Sequence, residues 1–110
     1  MTALSADETL IFLTTKTRIN MSQKYIVKIK NGNLFFNSEK IDPLQLPVLL
    51  PDLQNLSQVK KEQLIDCSSG TYTHKVIKNK KTEEFTGCLG SQKADELLNS
   101  INKLKKSKLL

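Results

Sequence analysis

The stretch KYIVKIKNGNLFFNS, residues 24–38, constrains the fold more than any other part of the chain. Tyr25, Val27 and Ile29 alternate with Ile26, Lys28 and Lys30, which is the two-residue period of a strand. Asn31-Gly32 then supplies two residues tolerant of positive φ, as a type I′ hairpin turn requires. A two-residue turn there sets Ile29 beside Leu34 and Val27 beside Phe36, so the apolar side chains of both strands share a face.

The neighbouring segments extend this hairpin into a sheet. TLIFLTTKTRI is rich in Thr, Ile and Phe and reads as a strand over about 9–18, joined to the hairpin through NMSQ. Further on, TYTHKVIK and TEEFTGCL read as a second hairpin. With NKKT as a four-residue loop, Lys78 faces Glu83, Val76 faces Phe85 and Tyr72 faces Leu89. Residues 62–67 are a candidate flanking strand before the SSG turn.

Two segments read as helices. Pro43, Pro47 and Pro51 exclude a continuous central strand or helix up to Pro51. Beyond it Leu53, Leu56 and Val59 recur at helical spacing, which predicts a short helix over about 52–62 with Pro51 in its first turn. The second helix is C-terminal. Ser91 is its expected N-cap and Asp95 and Glu96 fall early, where the helix dipole favours acids. Ala94, Leu97, Leu98, Ile101 and Leu104 form one apolar stripe, and Lys103, Lys105, Lys106 and Lys108 crowd the end.

The expected architecture is therefore one α+β domain over 1–110. An antiparallel sheet of five or six strands, two hairpins plus flanking strands, is packed on one face by the C-terminal helix and the short middle helix. Residues 1–8 and 107–110 are expected to be flexible. A content of 38% hydrophobic and 25% charged residues suits a globular domain of this size. With six aromatic residues and no Trp, the core must be built largely of Leu, Ile and Val.

Both cysteines and the single histidine lie in LIDCSSGTYTHKVIKNKKTEEFTGCLG, residues 64–90. A zinc site wants four ligands, often in close cysteine pairs, and here Cys67, His74 and Cys88 supply three without such a pair. Strand parity puts His74 on the face of Val76 and Phe85 and Cys88 on the opposite one, which weakens metal and thiol-nucleophile readings together. A Cys67–Cys88 disulfide is the simplest chemical reading and needs the SSG turn to fold the chain back. Two unpaired thiols in or near the core are the alternative.

Net charge is +6, and of the 17 basic residues only Arg18 is arginine. Bidentate recognition of guanine or phosphate favours arginine forks, so lysine enrichment argues against sequence-specific nucleic-acid reading. Lys75, Lys78, Lys80 and Lys81 gather at the second hairpin tip as a candidate basic interaction patch, diluted by Glu83 and Glu84. Asn20-Met21-Ser22 and Asn55-Leu56-Ser57 match the glycosylation acceptor pattern. No phosphate-binding glycine loop, zinc-protease motif or nucleophile elbow occurs, and no apolar run is long enough to span a membrane.

These readings favour a non-catalytic protein-binding or accessory module, an inhibitor among the options, secreted or periplasmic and without a cofactor. The start of the chain lacks the basic and apolar regions of a leader, so the exported reading takes Thr2 as the first residue of a mature chain. The alternatives are a cytoplasmic, lysine-rich, nucleic-acid-associated protein and, more remotely, a small cysteine-dependent enzyme. The oligomeric state stays open.

Overall fold

The structure is a computed structural model that describes residues 7–19, 21–63 and 67–110. The described residues form six strands, β1 (Glu8–Lys16), β2 (Met21–Lys30), β3 (Asn33–Phe36), β4 (Glu39–Lys40), β5 (Gly70–Lys78) and β6 (Lys81–Cys88). They form one antiparallel sheet in the order β4-β3-β2-β1-β5-β6. Two helices, α1 (Leu46–Leu56) and α2 (Gln92–Lys105), complete the α+β fold that the pattern predicts.

The first hairpin has the expected register, with Ile29 opposite Leu34 and Val27 opposite Phe36. Its turn residues Asn31 and Gly32 have φ of 53° and 76°, the left-handed pair of a type I′ turn. β1 is one of the two central strands. Leu10 lies between Val27 and Val76, and Phe12 between Tyr25 and His74. The described turn falls at 17–19, and β1 ends at Lys16 and β2 begins at Met21, two and three residues earlier than expected.

The second hairpin corrects the sequence register. Lys78 pairs with Lys81, Val76 with Glu83, His74 with Phe85 and Tyr72 with Gly87. The loop is the two-residue turn Asn79-Lys80, with φ of 52° and 62°, instead of four-residue NKKT. The shift is two residues, so every side chain keeps the face assigned by parity. The new pairing explains Gly87: the Tyr72 ring lies over it, 2.5 Å from where a Cβ would stand. Tyr72 thereby fills the gap in β6 that the glycine leaves.

The middle helix also differs. It spans Leu46–Leu56, not 52–62, and a 3-10 turn at Pro43–Gln45 precedes it, capped by the Asp42 side chain. Pro47 falls in the first turn, where its missing N–H has no partner to lose. Pro51 is interior, but both prolines are on the exposed side, so the carbonyl left unpaired faces solvent. Leu46, Leu49, Leu53 and Leu56 are the buried side. Of the strand considered for 62–67, residues 64–66 lie outside the described residues, and 62, 63 and 67 are not in a strand.

α2 begins as its sequence predicts. The Ser91 hydroxyl accepts from the Ala94 N–H at 3.1 Å, and Ala94, Leu97, Ile101 and Leu104 are buried. Both helices cover one side of the sheet, where they meet Leu10, Phe12, Val27, Ile29, Tyr72 and Val76. Fully burying one such side chain is worth roughly 1.5–3 kcal/mol. A polar seam joins the helices. Buried Asp52 accepts from the Ser100 hydroxyl at 3.1 Å and lies 3.6 Å from the Lys103 ammonium. Residues 107–110, expected to be flexible, run back to the sheet edge. Leu109 bridges Ile41, and the Leu110 N–H donates to the Lys40 carbonyl.

Candidate functional site

The cysteine–histidine stretch resolves into two structural devices. Cys67 and Cys88 form a disulfide, with Cα atoms 4.6 Å apart. The SSG turn supplies the approach: Gly70 donates to the Cys67 carbonyl, Leu89 donates to the Gly70 carbonyl, and Gly70 takes φ of 132° where a Cβ would collide with the Thr15 carbonyl. Cys88 sits opposite Thr71, not Thr73, a consequence of the corrected register.

His74 points into the core and is 2% exposed. Its Nε2–H donates to the Leu56 carbonyl at 2.7 Å, at the end of α1, where helix carbonyls lack partners of their own. Burial holds its pKa below the ordinary imidazole value, against the opposing pull of that hydrogen bond. Among the described residues no group of His, Cys, Asp and Glu side chains converges as a metal site. Tyr72 is the neighbouring buried group, its pKa pushed up to about 12 by burial and secondarily by the Glu62 charge.

The other side of the sheet is left open by both helices. Ladder pairing assigns its occupants. On β1, Ile11 and Leu13 point there. Ile26 lies beside Ile11 on β2, and Ile77 and Phe35 extend the apolar positions toward the two sheet edges. All five are half-buried, shielded by their neighbours but covered by no helix. Lys24, Lys28, Lys30, Lys40 and Lys75 stand among them. Of the described strand positions on this face only Glu84 is acidic. None of the five lysines makes an ion pair among the described residues, whereas Lys78, Lys93 and Lys103 do.

The face is concave near its β3 side. Phe35 lies between Lys28 and Lys40 in the ladder. A hollow of about 250 Å³ there is lined by Ile26, Lys28, Lys30, Phe35 and Ser38. A wider one of about 660 Å³, at the end of the sheet, shares Lys28 and Lys30 and adds Asp7, Asn79 and Lys80.

The four lysines singled out at the second hairpin tip do not form one patch. Lys75 faces the open side, and Lys80 sits in the turn and lines the wider hollow. Lys78 and Lys81 belong to the helix-covered side, where the Lys78 ammonium lies 3.7 Å from buried Glu8. Burial raises the Glu8 pKa while Lys78 opposes the rise. Sequence reasoning missed Lys24, Lys28 and Lys30 of β2 and Lys40 of β4 as a group because β3 separates the two strands in sequence and in the sheet. Their signal was present in the alternation of KYIVKIK. A further signal is the run Leu10-Ile11-Phe12-Leu13, apolar toward both sides of β1, which is the pattern of a strand meant to be covered twice.

Two other surface features lie away from this face. Leu44 and Val48 are 81% and 74% exposed, on the solvent side of the α1 region. Asn55, one of the two glycosylation acceptors considered, uses its amide nitrogen to donate to the Ser100 hydroxyl and the Glu96 carbonyl. Asn20, the other, lies outside the described residues. No protein-family model, curated protein or solved structure matches the chain, so the reading of this face stands on its geometry.

Proposed function

We propose that this chain is a non-catalytic binding module whose sheet receives a protein partner on its open face. The observation that carries the reading is central strand β1. Ile11 and Leu13 are apolar on a side that no helix of the described residues covers, while Leu10 and Phe12 on the other side are fully buried. A strand of this type ordinarily has both faces packed. The groups that could do chemistry, His74, Cys67 and Cys88, are each engaged in holding the fold.

A disulfide joining β6 to the turn before β5 supports a secreted or periplasmic site of action, since such bonds persist in oxidising compartments. Protein purified without reductant and unfolded in denaturant should then show no reactive thiol; two would remove the exported reading. The binding reading is tested by photo-crosslinking in the producing cell. A photoreactive residue at position 26 should give a discrete protein adduct, and one at exposed Asn99 on α2 should not. Equal results from both positions would overturn it.

A further inference from the structure

We infer that the partner presents an acidic segment, carboxylates interspersed with apolar side chains, to the open face around Phe35. This deepens the binding reading and rests on it. Charge complementarity carries the inference. Lys24, Lys28, Lys30, Lys40 and Lys75 oppose Glu84 alone among the described strand positions of that face, and none of the five is neutralised by an ion pair there. Opposed potentials of this kind steer encounter and select the partner's sign.

The apolar positions set the class of occupant. Phe35 is flanked across the ladder by Lys28 on one side and Lys40 on the other, over a hollow of about 250 Å³. Ile26 and Ile11 continue the apolar floor toward the middle of the sheet. A ligand that fills this face must place apolar groups over the floor and anionic groups at its borders.

Three other occupants fit less well. Single-stranded nucleic acid needs successive aromatic platforms, and Phe35 is the one aromatic side chain that the described ladders place on this side. Its basic residues are all lysine, and Arg18 lies in the β1–β2 turn. A lipid surface would want large apolar chains standing clear of the lysines, but those here are half-buried, and the most exposed ones, Leu44, Val48 and Leu110, are on the turn before α1, on α1 and at the last residue. A second copy would set lysines against lysines.

The test is a titration of the intact, oxidised protein followed by amide chemical shifts. The probes are a ten-residue peptide alternating Glu with Leu, the same peptide with Gln for Glu, and a fifteen-nucleotide single strand of thymidylate. At low salt the Glu peptide should shift Ile11, Ile26, Lys28 and Phe35 and leave Leu97 and Ile101 of α2 unmoved. Its affinity should fall with salt, and at least about tenfold in Lys28→Glu/Lys40→Glu. Equal affinity for the Gln peptide overturns the acidic partner but leaves the binding reading standing on its crosslinking result. Tighter binding of the oligonucleotide, or shifts absent or spread over the helices, overturns the inference as well.

Discussion

Phe12 and Ile11 are adjacent in β1 and point to opposite sides of the sheet. Phe12 is 1% exposed, with its ring stacked on Tyr72 at 5.5 Å between centroids and edge-on to His74. Ile11 has Ile26 and Lys75 as its cross-strand neighbours and no helix of the described residues above it. One side of the sheet is thus closed by leucine-rich helices and a buried histidine, the other floored by isoleucines and bordered by lysines. The same strands supply both. Stability is vested in the first, which leaves side chains of the second free to change without loss of fold.

The comparison is broken most easily at its centre. Phe12→Ala removes a fully buried ring and should cost about 3–5 kcal/mol in urea denaturation. Ile11→Ala, one residue away, should cost about 1 kcal/mol or less. Similar losses from both would mean that the open side is part of the core. The disulfide comes next. Cys67 and Cys88 are 21 residues apart in sequence, and closing a loop of that size is worth on the order of 3 kcal/mol. Reduction should lower the thermal midpoint of the parent and leave Cys67→Ser/Cys88→Ser unchanged; a parent midpoint indifferent to reductant would contradict the bond's structural role.

His74 sharpens the contrast through pH. Its folded pKa lies below the unfolded value of 6.5 because the ring is buried. The stability it contributes is therefore complete above 6.5 and is lost as pH falls through the lowered folded value. Within that window the loss should approach about 1.4 kcal/mol per pH unit, checked by denaturation at a series of pH values. His74→Gln should flatten the curve between pH 7 and the onset of carboxylate titration. A curve as steep in the variant as in the parent would assign the dependence elsewhere.

The smallest effect concerns the turns, where the sequence was only partly legible. Asn31-Gly32 was readable because glycine advertises positive φ. Asn37-Ser38 and Asn79-Lys80 adopt the same left-handed pair, with φ of 49° and 71°, and 52° and 62°, but Ser38 and Lys80 carry no such signal. That is why the sequence does not reveal β4 and suggests a register for the second hairpin two residues from the one the structure has. Its faces survived because a shift of two preserves parity. Lys80→Gly should relieve the left-handed cost and raise stability by up to about 1 kcal/mol, measured as a shift in the urea midpoint. A loss of stability would show that Lys80 makes compensating contacts.

Other features were legible for equally local reasons. The Ser91 cap and the apolar stripe of α2 follow from short-range spacing. The prolines misplaced α1 because tolerance at Pro51 depends on which side of the helix faces water, a tertiary fact. The open face was hardest, since Lys24, Lys28, Lys30, Lys40 and Lys75 are brought together only by the strand order.

The most direct test of the division between the two faces reverses charge on one of them. In Lys28→Glu/Lys30→Glu/Lys40→Glu the unfolding free energy should stay within about 1 kcal/mol of the parent, as expected of substitutions outside the core. The adduct formed in the producing cell from a photoreactive residue at position 26 should be lost. An adduct of undiminished yield, or a fall in stability comparable to that of Phe12→Ala, would contradict the account.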